Sequence, residues 1–280
     1  MGPAILVTGA GGQLGRALRA LAPNATFLER ERLDITDGGA VKSALDVMKP
    51  AAVINAAAYT HVDRAESEPG RAEAVNTLGA RILAEGAAQV HATTVYPSTN
   101  FVFSGRGPDA YDETQPTSPL SVYGRTKANG EAAVLEENRN LVVRTSAVYG
   151  EGANFIRAII AAARTRPEVR VVDDQWCQPT GAFELATGIL DLIEQEASGI
   201  FHVAGGPPCT WAELAEHALK VTGSSVRVIP ISTEEYIASR SGPTAPRPLR
   251  AVLECSKAEA RGLQMSDWKM SVDAYLGRES

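Results

Sequence analysis

The stretch AILVTGAGGQLG, Ala4–Gly15, indicates the fold of this chain. Its apolar start, Ala4–Thr8, is typical of a buried strand, and the glycines after it predict a tight turn into a helix. Gly9 suits the turn, Gly12 would let the backbone approach a pyrophosphate, and Gly15 would allow close packing of the helix on the sheet. A plain turn can also explain such glycines. The place of the motif between a strand and a helix N-terminus favours a dinucleotide site.

Short apolar runs alternate with helical stretches through the first half of the chain, which is the pattern of a parallel sheet covered on both faces. We predict an α/β fold with a doubly wound parallel sheet (Rossmann) over residues 1–150, and a smaller C-terminal substrate-binding lobe over residues 151–280 with segments that return to the first domain. The predicted strands are Ala4–Thr8, Ala25–Leu28, Ala52–Asn55, His91–Tyr96, Leu141–Thr145, Val169–Val172 and Ile200–Val203. The predicted helices are Arg16–Leu21, Gly39–Lys49, Ala72–Gln89, a helix that carries Tyr123 and Lys127, Phe155–Thr165, Phe183–Glu196 and Trp211–Val221, and Thr233–Pro248 is predicted to be an extended loop.

The composition is that of an ordinary globular protein, since 44% of the 280 residues are hydrophobic and 21% are charged. A net charge of −6 leaves no basic footprint, so we expect no nucleic-acid partner. The 3 cysteines are widely spaced and fit a reducing compartment better than a disulfide framework. The apolar N-terminus is too short for a signal sequence, and no stretch approaches the roughly 20 apolar residues of a membrane span. We therefore expect a cytoplasmic protein with no membrane partner, and a homodimer is one candidate assembly.

Two further groups of candidate cofactor residues follow the second and third predicted strands. Glu29 ends the second strand, where an acid bonds the ribose hydroxyls of NAD, but Arg30 follows and could pair with the 2′-phosphate of NADP. Both can also be surface charges, so the choice between NADH and NADPH stays open. Asp34-Ile35 stands where an adenine edge could lie, although an N-cap is the alternative. The small residues within Asn55–Thr60 leave room for a flat ring system, and we interpret Asn76, in the long helix, as a surface amide.

The stretch Tyr123-Gly124-Arg125-Thr126-Lys127 sets a phenol and an ammonium group four residues apart. In a helix they share one face, so Lys127 would hold a positive charge near Tyr123 and lower the phenol pKa from its usual value of about 10. Such a tyrosine can pass a proton to or from a carbinol oxygen near neutral pH. The hydroxyl of Thr99, at the end of the fourth predicted strand, could bond the same carbonyl. Either feature is weak alone, but the glycine turn, the strand-end Thr99 and the YxxxK spacing in this order predict a carbonyl reductase.

The histidines His61, His91, His202 and His217 show no metal-ligand spacing. His91 and His202 lie in predicted apolar strands and are expected to be packed core or edge residues. Asp173-Asp174 is expected to be a solvated turn, and we predict no metal site.

Several longer stretches resemble the extended short-chain dehydrogenase/reductases, and within them the dTDP-4-dehydrorhamnose reductase family. These stretches span most of the chain, and several of the motifs are peculiar to that family. They are GAGGQLGRAL at Gly9–Leu18, INAAAYTHVDRAESEP at Ile54–Pro69, STNFVFSG at Ser98–Gly105, SPLSVYGRTKANGE at Ser118–Glu131, RTSAVYGEGANF at Arg144–Phe155, DQWCQPT at Asp174–Thr180 and RPLRAVL at Arg247–Leu253.

The resemblance implies reduction of the 4-keto group of a dTDP-linked 6-deoxyhexulose with NADPH or NADH. It implies that Thr99, Tyr123 and Lys127 are the catalytic residues. The cofactor contacts expected from the motifs and the resemblance together are Gly9, Gly12, Gln13, Leu14, Gly15, Glu29, Arg30, Asp34, Ile35, Ala56, Ala57, Ala58, Tyr59, Thr60, Tyr123 and Lys127. The expected substrate contacts are Thr99, Asn100, Phe101, Ala147, Asn154 and Arg247.

Three departures from the family pattern bear on the choice of substrate. Asn100-Phe101 replaces the usual Asp-Tyr after the catalytic threonine, and Ala147 replaces a tryptophan beside the sugar. Leu249-Arg250-Ala251 stands where the Arg-Pro motif continues with Asn-Ser. None of these positions touches the hydride chemistry, so a related keto-sugar nucleotide or another bulky ketone stays an alternative substrate.

Two other functions are weighed against a reductase. A sugar-nucleotide dehydratase or epimerase of the same superfamily is disfavoured, because Asn100-Phe101 cannot do the acid/base work of the Asp-Glu pair that dehydratases carry. A non-catalytic nucleotide-binding regulatory subunit is disfavoured, because such a module has no need of an intact set of Thr99, Tyr123 and Lys127.

Overall fold

A computed structural model describes residues 4–107 and 109–278 of the chain. Its strands are β1 (Ile5–Thr8), β2 (Thr26–Leu28), β3 (Ala52–Asn55), β4 (Thr93–Thr99), β5 (Leu141–Thr145), β6 (Val148–Tyr149), β7 (Glu168–Val172), β8 (Trp176–Cys177), β9 (Thr180–Gly181), β10 (Gly199–His202), β11 (Cys209–Thr210) and β12 (Arg227–Ile231). Its α-helices are α1 (Gln13–Leu21), α2 (Gly38–Met48), α3 (Val62–Ala65), α4 (Pro69–Glu73), α5 (Ala80–Gln89), α6 (Val122–Val134), α7 (Phe155–Ala163), α8 (Ala182–Glu194), α9 (Trp211–Val221), α10 (Thr233–Ala238), α11 (Ser256–Glu259) and α12 (Trp268–Gly277). A π-helical turn (Ala74–Gly79) joins α4 to α5, and a 3₁₀ turn (Asn100–Val102) follows β4.

A 6-stranded parallel sheet lies at the centre, in the order β10, β5, β4, β3, β1, β2. Successive side chains of a strand point to opposite faces, so a sheet covered on both sides needs strands that are apolar on both. In β1, Leu6 packs with α2 and α5 on one face, whereas Val7 packs with α1 and α8 on the other. The predicted α/β fold with a doubly wound parallel sheet is confirmed.

The second half of the chain completes this sheet. Strand β10 pairs in parallel with β5 at the edge, with Phe201 opposite Val143. Leu185 and Ile189 of α8 join the same apolar cluster as Leu18 of α1. Residues beyond 150 therefore return to the sheet, and the division of the chain at residue 150 stays a prediction.

The rest of the second half contains short paired strands and the helices α7, α9, α10, α11 and α12. Strands β7 and β12 pair in parallel and β8 and β11 pair antiparallel. Val169 and Val171 of β7 pack against Ala215 and Leu219 of α9, and Leu214 of α9 packs in a second cluster with α12. Strands of two residues carry almost no alternating pattern, so the sequence indicates this region weakly.

Three predictions about local structure are wrong. Thr233–Pro248 is not all loop, because α10 begins after Ser232, whose side chain forms a reciprocal capping box with Glu235. His91 is not in a strand: its φ of 62° places it in the left-handed turn between α5 and β4. Asn76 is not a surface amide, since it is 1% exposed.

Within residues 4–107 and 109–278, no helix combines the length and the apolar character that a bilayer crossing requires.

Candidate active site

The glycine turn after β1 is shaped by close backbone approaches. Gly9 has a φ of 64°, and a Cβ there would collide with the backbone of Ala56 and Ala57 after β3. A Cβ at Gly15 would lie 2.7 Å from the Cα of Ala10, so α1 packs directly on the turn. No side chain caps α1 at its N-cap, Gly12, and a Cβ at Gly12 would meet only the Gly9 oxygen, at 3.3 Å. The helix N-terminus is therefore open to an anionic ligand.

A cavity of about 380 Å³ opens beside this turn. It brings together predicted cofactor residues from the ends of β1, β2 and β3, which are Gly9, Gly12, Arg30, Asp34, Ile35, Ala56, Ala57, Ala58, Tyr59 and Thr60. It is also lined by residues that were not predicted as cofactor contacts, which are Leu33, His61, Arg64, Arg71 and Val75. Since parallel strands end at one edge of a sheet, this is where open α/β sheets bind ligands.

Three other predicted cofactor residues lie around the turn rather than in the cavity. Glu29 is next to it, because its carboxylate carbon would be 3.5 Å from a Cβ on Gly11. Leu14 packs its side chain into the main core. Gln13 lines a different cavity, of about 640 Å³, with Tyr149. Their roles as cofactor contacts stay predictions.

The charges at the β2 end of the cavity are held loosely. Arg30 and Asp34 form an ion pair of 3.2 Å, and their side chains are 70% and 36% exposed. Asp34 also accepts hydrogen bonds from the backbone amide and the hydroxyl of Thr36, which hold the pKa of its carboxyl below the usual value. The N-cap of α2 is Asp37, not Asp34.

Asn76 is a buried link that sequence reasoning missed. Its side-chain oxygen accepts from the Tyr59 amide at 2.8 Å, and its amide donates to the Tyr59 oxygen and to the Thr126 hydroxyl of α6. The cavity wall at Tyr59 is thereby tied to α6, which carries Tyr123 and Lys127. The sequence signal for this buried role was a lone amide side chain within an alanine-rich helix.

Helix α6 is set directly against the end of β4. Its N-cap, Ser121, accepts from the Gly124 amide at 3.1 Å, and Glu66 accepts from the Val122 amide at 2.8 Å. A Cβ at Gly124 would collide with the Phe101 oxygen, so only glycine lets the two segments approach this closely. The approach brings Tyr123 next to Thr99.

The pKa of Tyr123 is raised to about 12, because burial disfavours the phenolate, while a hydrogen bond between its phenol and the Thr99 hydroxyl offsets part of the rise. The prediction that Lys127 brings this pKa below its usual value is wrong. The Lys127 ammonium instead donates to the Pro97 oxygen at 2.7 Å and lies 3.8 Å from the centre of the Tyr96 ring. Burial lowers the pKa of Lys127 itself to about 7, against the negative charge of Glu131.

The predicted substrate residues fall into two groups. Asn100 and Phe101 follow Thr99 in the 3₁₀ turn: Asn100 donates to the Ala251 oxygen at 3.1 Å, and the Phe101 ring meets the Tyr123 ring edge-on at 5.8 Å. Ala147, Asn154 and Arg247 lie on other elements. Their contact with a substrate stays a prediction.

Each residue of the second group has a structural partner. The backbone oxygen of Ala147, which lies between β5 and β6 with a φ of 43°, accepts from the Thr180 amide at 3.2 Å. Asn154 caps α7 by accepting from the Arg157 amide at 3.0 Å. Arg247 forms an ion pair of 2.8 Å with Asp63, which follows β3.

His202 is a packed strand residue, as predicted, and is fully buried in β10. Its Nδ1 lies 3.1 Å from the Glu254 oxygen and its Nε2 lies 3.4 Å from Arg144. Burial first, and then the Arg144 charge, lower the pKa of His202 to about 4. Across the described part of the chain, no group of three or more His, Cys, Asp or Glu side chains is placed to hold a metal ion.

Known proteins match this chain along nearly its whole length. Residues 3–280 match the family described as the RmlD substrate binding domain. A dTDP-4-dehydrorhamnose reductase of Streptomyces griseus is 40% identical, over 96% of this chain and 92% of its own. The spore coat polysaccharide biosynthesis protein SpsK of Bacillus subtilis is 34% identical, over 99% of this chain and 98% of its own. The crystal structure of dTDP-4-dehydrorhamnose reductase from Bacillus anthracis in complex with NADP is 35% identical and superimposes with a TM-score of 0.93, over 99% of this chain and 100% of that one.

Proposed function

The chain belongs to the RmlD substrate binding domain family, and from this we propose that it is an NAD(P)H-dependent reductase of the 4-keto group of a nucleotide-linked deoxysugar, with Tyr123 as the proton donor. One observation carries the proposal: at the end of β4, the Tyr123 phenol hydrogen-bonds the Thr99 hydroxyl and the Lys127 ammonium donates to the Pro97 oxygen, at the same edge of the sheet as the glycine-lined cavity. A binding module would need the cavity but not the phenol of Tyr123 and the buried ammonium of Lys127.

The cavity fits a dinucleotide. The bare N-terminus of α1 suits a pyrophosphate, the alanines Ala56–Ala58 leave room for flat rings, and Glu29 or Arg30 would meet the adenosine ribose. A bound reduced nicotinamide dinucleotide supplies the hydride. The Bacillus anthracis relative binds NADP, and for this chain we propose NADPH or NADH.

Tyr123 is suited to give a proton rather than to take one. With a pKa of about 12, its phenol stays protonated at neutral pH, so the proton is in place when negative charge develops on the carbonyl oxygen. An alkoxide is a stronger base than a phenolate, so the transfer is downhill. The Thr99 hydroxyl bonds the same oxygen, the Lys127 ammonium stabilises the phenolate that remains, and water then reprotonates Tyr123.

The substrate class follows from the relatives. The Streptomyces griseus protein is named a dTDP-4-dehydrorhamnose reductase, and a Streptomyces niveus relative, 40% identical over 237 residues, is named a dTDP-4-keto-6-deoxy-D-glucose reductase. We propose a nucleotide-linked 4-keto deoxysugar for this chain. A different ketone on the same scaffold is the alternative, because Asn100, Phe101 and Ala147 differ from the family pattern.

The setting of the protein is also proposed. We propose a cytoplasmic enzyme, since free thiols at Cys177, Cys209 and Cys255 fit a reducing compartment. The homodimer stays a prediction, which light scattering of the purified protein tests.

The function is tested by nicotinamide absorbance. Purified protein is mixed with dTDP-4-dehydrorhamnose or dTDP-4-keto-6-deoxyglucose and, separately, with NADPH or NADH. Absorbance should fall with the nucleotide sugars and stay constant with simple ketones of similar size. A protein that binds the cofactor yet reduces no ketone would contradict the proposal and favour the regulatory subunit. Turnover of simple ketones alone would favour the other substrate class.

A further inference from the structure

A buried ion pair lies behind the catalytic cluster. Glu131 of α6 and Arg144 of β5 are 3% and 2% exposed. The Arg144 guanidinium donates to both carboxylate oxygens, with Nη2 2.7 Å from Oε2 and Nε 3.0 Å from Oε1. Two buried charges need such complete pairing, because their removal from water costs free energy. Well-packed apolar residues at the same two positions would often stabilise a fold equally well, so stability alone does not explain the pair. The position of the pair, next to Lys127 and the end of β4, therefore points to a role in the site.

Glu131 is the third residue on one face of α6, four residues beyond Lys127, which is itself four beyond Tyr123. Its carboxylate also accepts a hydrogen bond of 2.5 Å from the Ser98 hydroxyl. Ser98 stands between Pro97, whose oxygen accepts from the Lys127 ammonium, and Thr99. One carboxylate thus holds the backbone segment that binds the Lys127 ammonium, through Pro97, and that carries Thr99, the hydrogen-bond partner of Tyr123.

We propose that Glu131 is a positioning residue for the reductase: with Arg144 and Ser98 it holds the end of β4 against α6, and so keeps Lys127 and Thr99 in place around Tyr123. This inference rests on the proposed function. Glu131 touches neither the reacting atoms nor the cavity, so its effect on the rate would pass through Lys127 and Thr99.

The charge of Glu131 also favours the ammonium form of Lys127. The Tyr96 ring of β4 also faces this ammonium, at 3.8 Å, and burial and then the charges of Glu131, Tyr123 and Glu73 raise the pKa of the Tyr96 phenol. Arg144 of β5 adds a positive charge that Glu131 now neutralises. Without the carboxylate, burial would lower the pKa of Lys127 below its present value of about 7.

The first test needs no turnover. The Lys127 ammonium is titrated by NMR in isotope-labelled wild type, in Glu131→Gln, and in the control Glu137→Gln, which removes an exposed carboxylate just beyond α6. The Lys127 pKa should fall in Glu131→Gln and stay unchanged in Glu137→Gln. An unchanged pKa in Glu131→Gln would overturn the electrostatic part of the role.

The second test is the pH dependence of kcat. Glu131→Gln should lower kcat by about 100-fold, with the loss growing as the pH rises to about 7 and staying constant above that value, while the Kd for NADPH changes by less than about threefold. Glu131→Asp keeps the charge and should restore the wild-type pH profile. A loss that is equal at every pH, or equal in Glu131→Asp, would mean that the pair serves the fold alone.

The proposal stays testable if Glu131→Gln is unfolded or if the wild type is inactive. If Glu131→Gln does not fold, Ser98→Ala replaces it, since this change removes only the hydroxyl that reaches Glu131. Ser98→Ala should lower kcat by about tenfold with the Kd for NADPH unchanged, and an unchanged kcat would overturn the proposal. If the wild type reduces no substrate, the proposed function fails, whereas the NMR titration still decides whether Glu131 controls Lys127.

Discussion

The two ends of the candidate cofactor site carry different kinds of charge. At the reacting end, Lys127, Glu131 and Arg144 are each at most 3% exposed, and all three are hydrogen-bonded. At the adenosine end, the Arg30 and Asp34 side chains are 70% and 36% exposed, and their ion pair is 3.2 Å long. An arginine and an acidic residue thus form an ion pair in both places, but the pair is buried near the reacting end and exposed at the adenosine end.

This difference in burial determines how strongly a substitution at each end should affect rate and stability. A buried charge that loses its partner keeps its full desolvation cost, whereas an exposed pair is worth roughly 1 kcal/mol or less. We therefore expect substitutions at the reacting end to change the rate or the stability strongly. Substitutions at the adenosine end should change only the preference between two cofactors.

The largest effect is expected for Tyr123→Phe, which removes the proton donor and keeps the ring beside Phe101. The value of kcat should fall by about 10²- to 10⁴-fold, while cofactor binding changes little. The nicotinamide absorbance assay measures the rate, and fluorescence titration measures binding. Tyr236→Phe, in α10, is the matched control and should keep the wild-type rate. A fully active Tyr123→Phe variant would contradict the role of Tyr123 as the proton donor at the reacting end.

The next effect concerns His202 and acid stability. Because its pKa falls from 6.5 when unfolded to about 4 when buried, the unfolded chain binds the extra proton between these values. Stability should be fully present above pH 6.5 and fall on acidification towards pH 4, by on the order of 3 kcal/mol. Urea unfolding of wild type and His202→Gln at each pH tests this: the variant should lack that share of the pH dependence. Identical pH dependence in both proteins would contradict the buried neutral imidazole.

A smaller effect is expected at the glycine turn between the two ends. Gly15→Ala places a Cβ 2.7 Å from the Ala10 backbone and should destabilise the protein by about 1–3 kcal/mol, with weaker cofactor binding. Gly70→Ala, in α4, is the control, because nothing lies within 4 Å of its Cβ. Chemical unfolding should show the first change destabilising and the second neutral or stabilising. Equal effects would mean that the turn is looser than its contacts indicate.

The smallest effect is expected for Arg30→Ala. It should raise the KM for NADPH by about fivefold or less and leave the KM for NADH unchanged, because an exposed guanidinium binds a 2′-phosphate weakly. Arg32→Ala, an exposed neighbour that does not line the cavity, is the control. A loss of activity with both cofactors would show that the adenosine end is as tightly determined as the reacting end.

The sequence predicted what depends on local chemistry. The glycine turn, the sheet and the helix with Tyr123 and Lys127 have strong local signals, because strand runs, turn glycines and YxxxK spacing are short-range patterns. The Glu131–Arg144 and Asn76–Tyr59 links join residues far apart in the chain, so no spacing could reveal them.

Two errors have the same cause. The Tyr123 pKa was predicted to fall because only Lys127 was near it in the sequence, whereas the burial that raises it comes from the tertiary packing. The short strands of the second half were not predicted, because they form only with partners distant in the chain. Strand β8, for example, pairs with β11, with Cys177 opposite Cys209 in the register. Burial and long-range pairing are properties of the folded chain that local pattern does not carry.

The central claim is that hydride reaches a sugar carbonyl while Tyr123 protonates its oxygen. The most direct measurement supplies the wild type with NADPH that carries deuterium at the transferable position of the nicotinamide, together with dTDP-4-dehydrorhamnose. We predict that NMR of the product finds deuterium at C4 of the sugar, in a single configuration. A reduced sugar without deuterium at C4, or an unreduced sugar in the presence of bound NADPH, would contradict it.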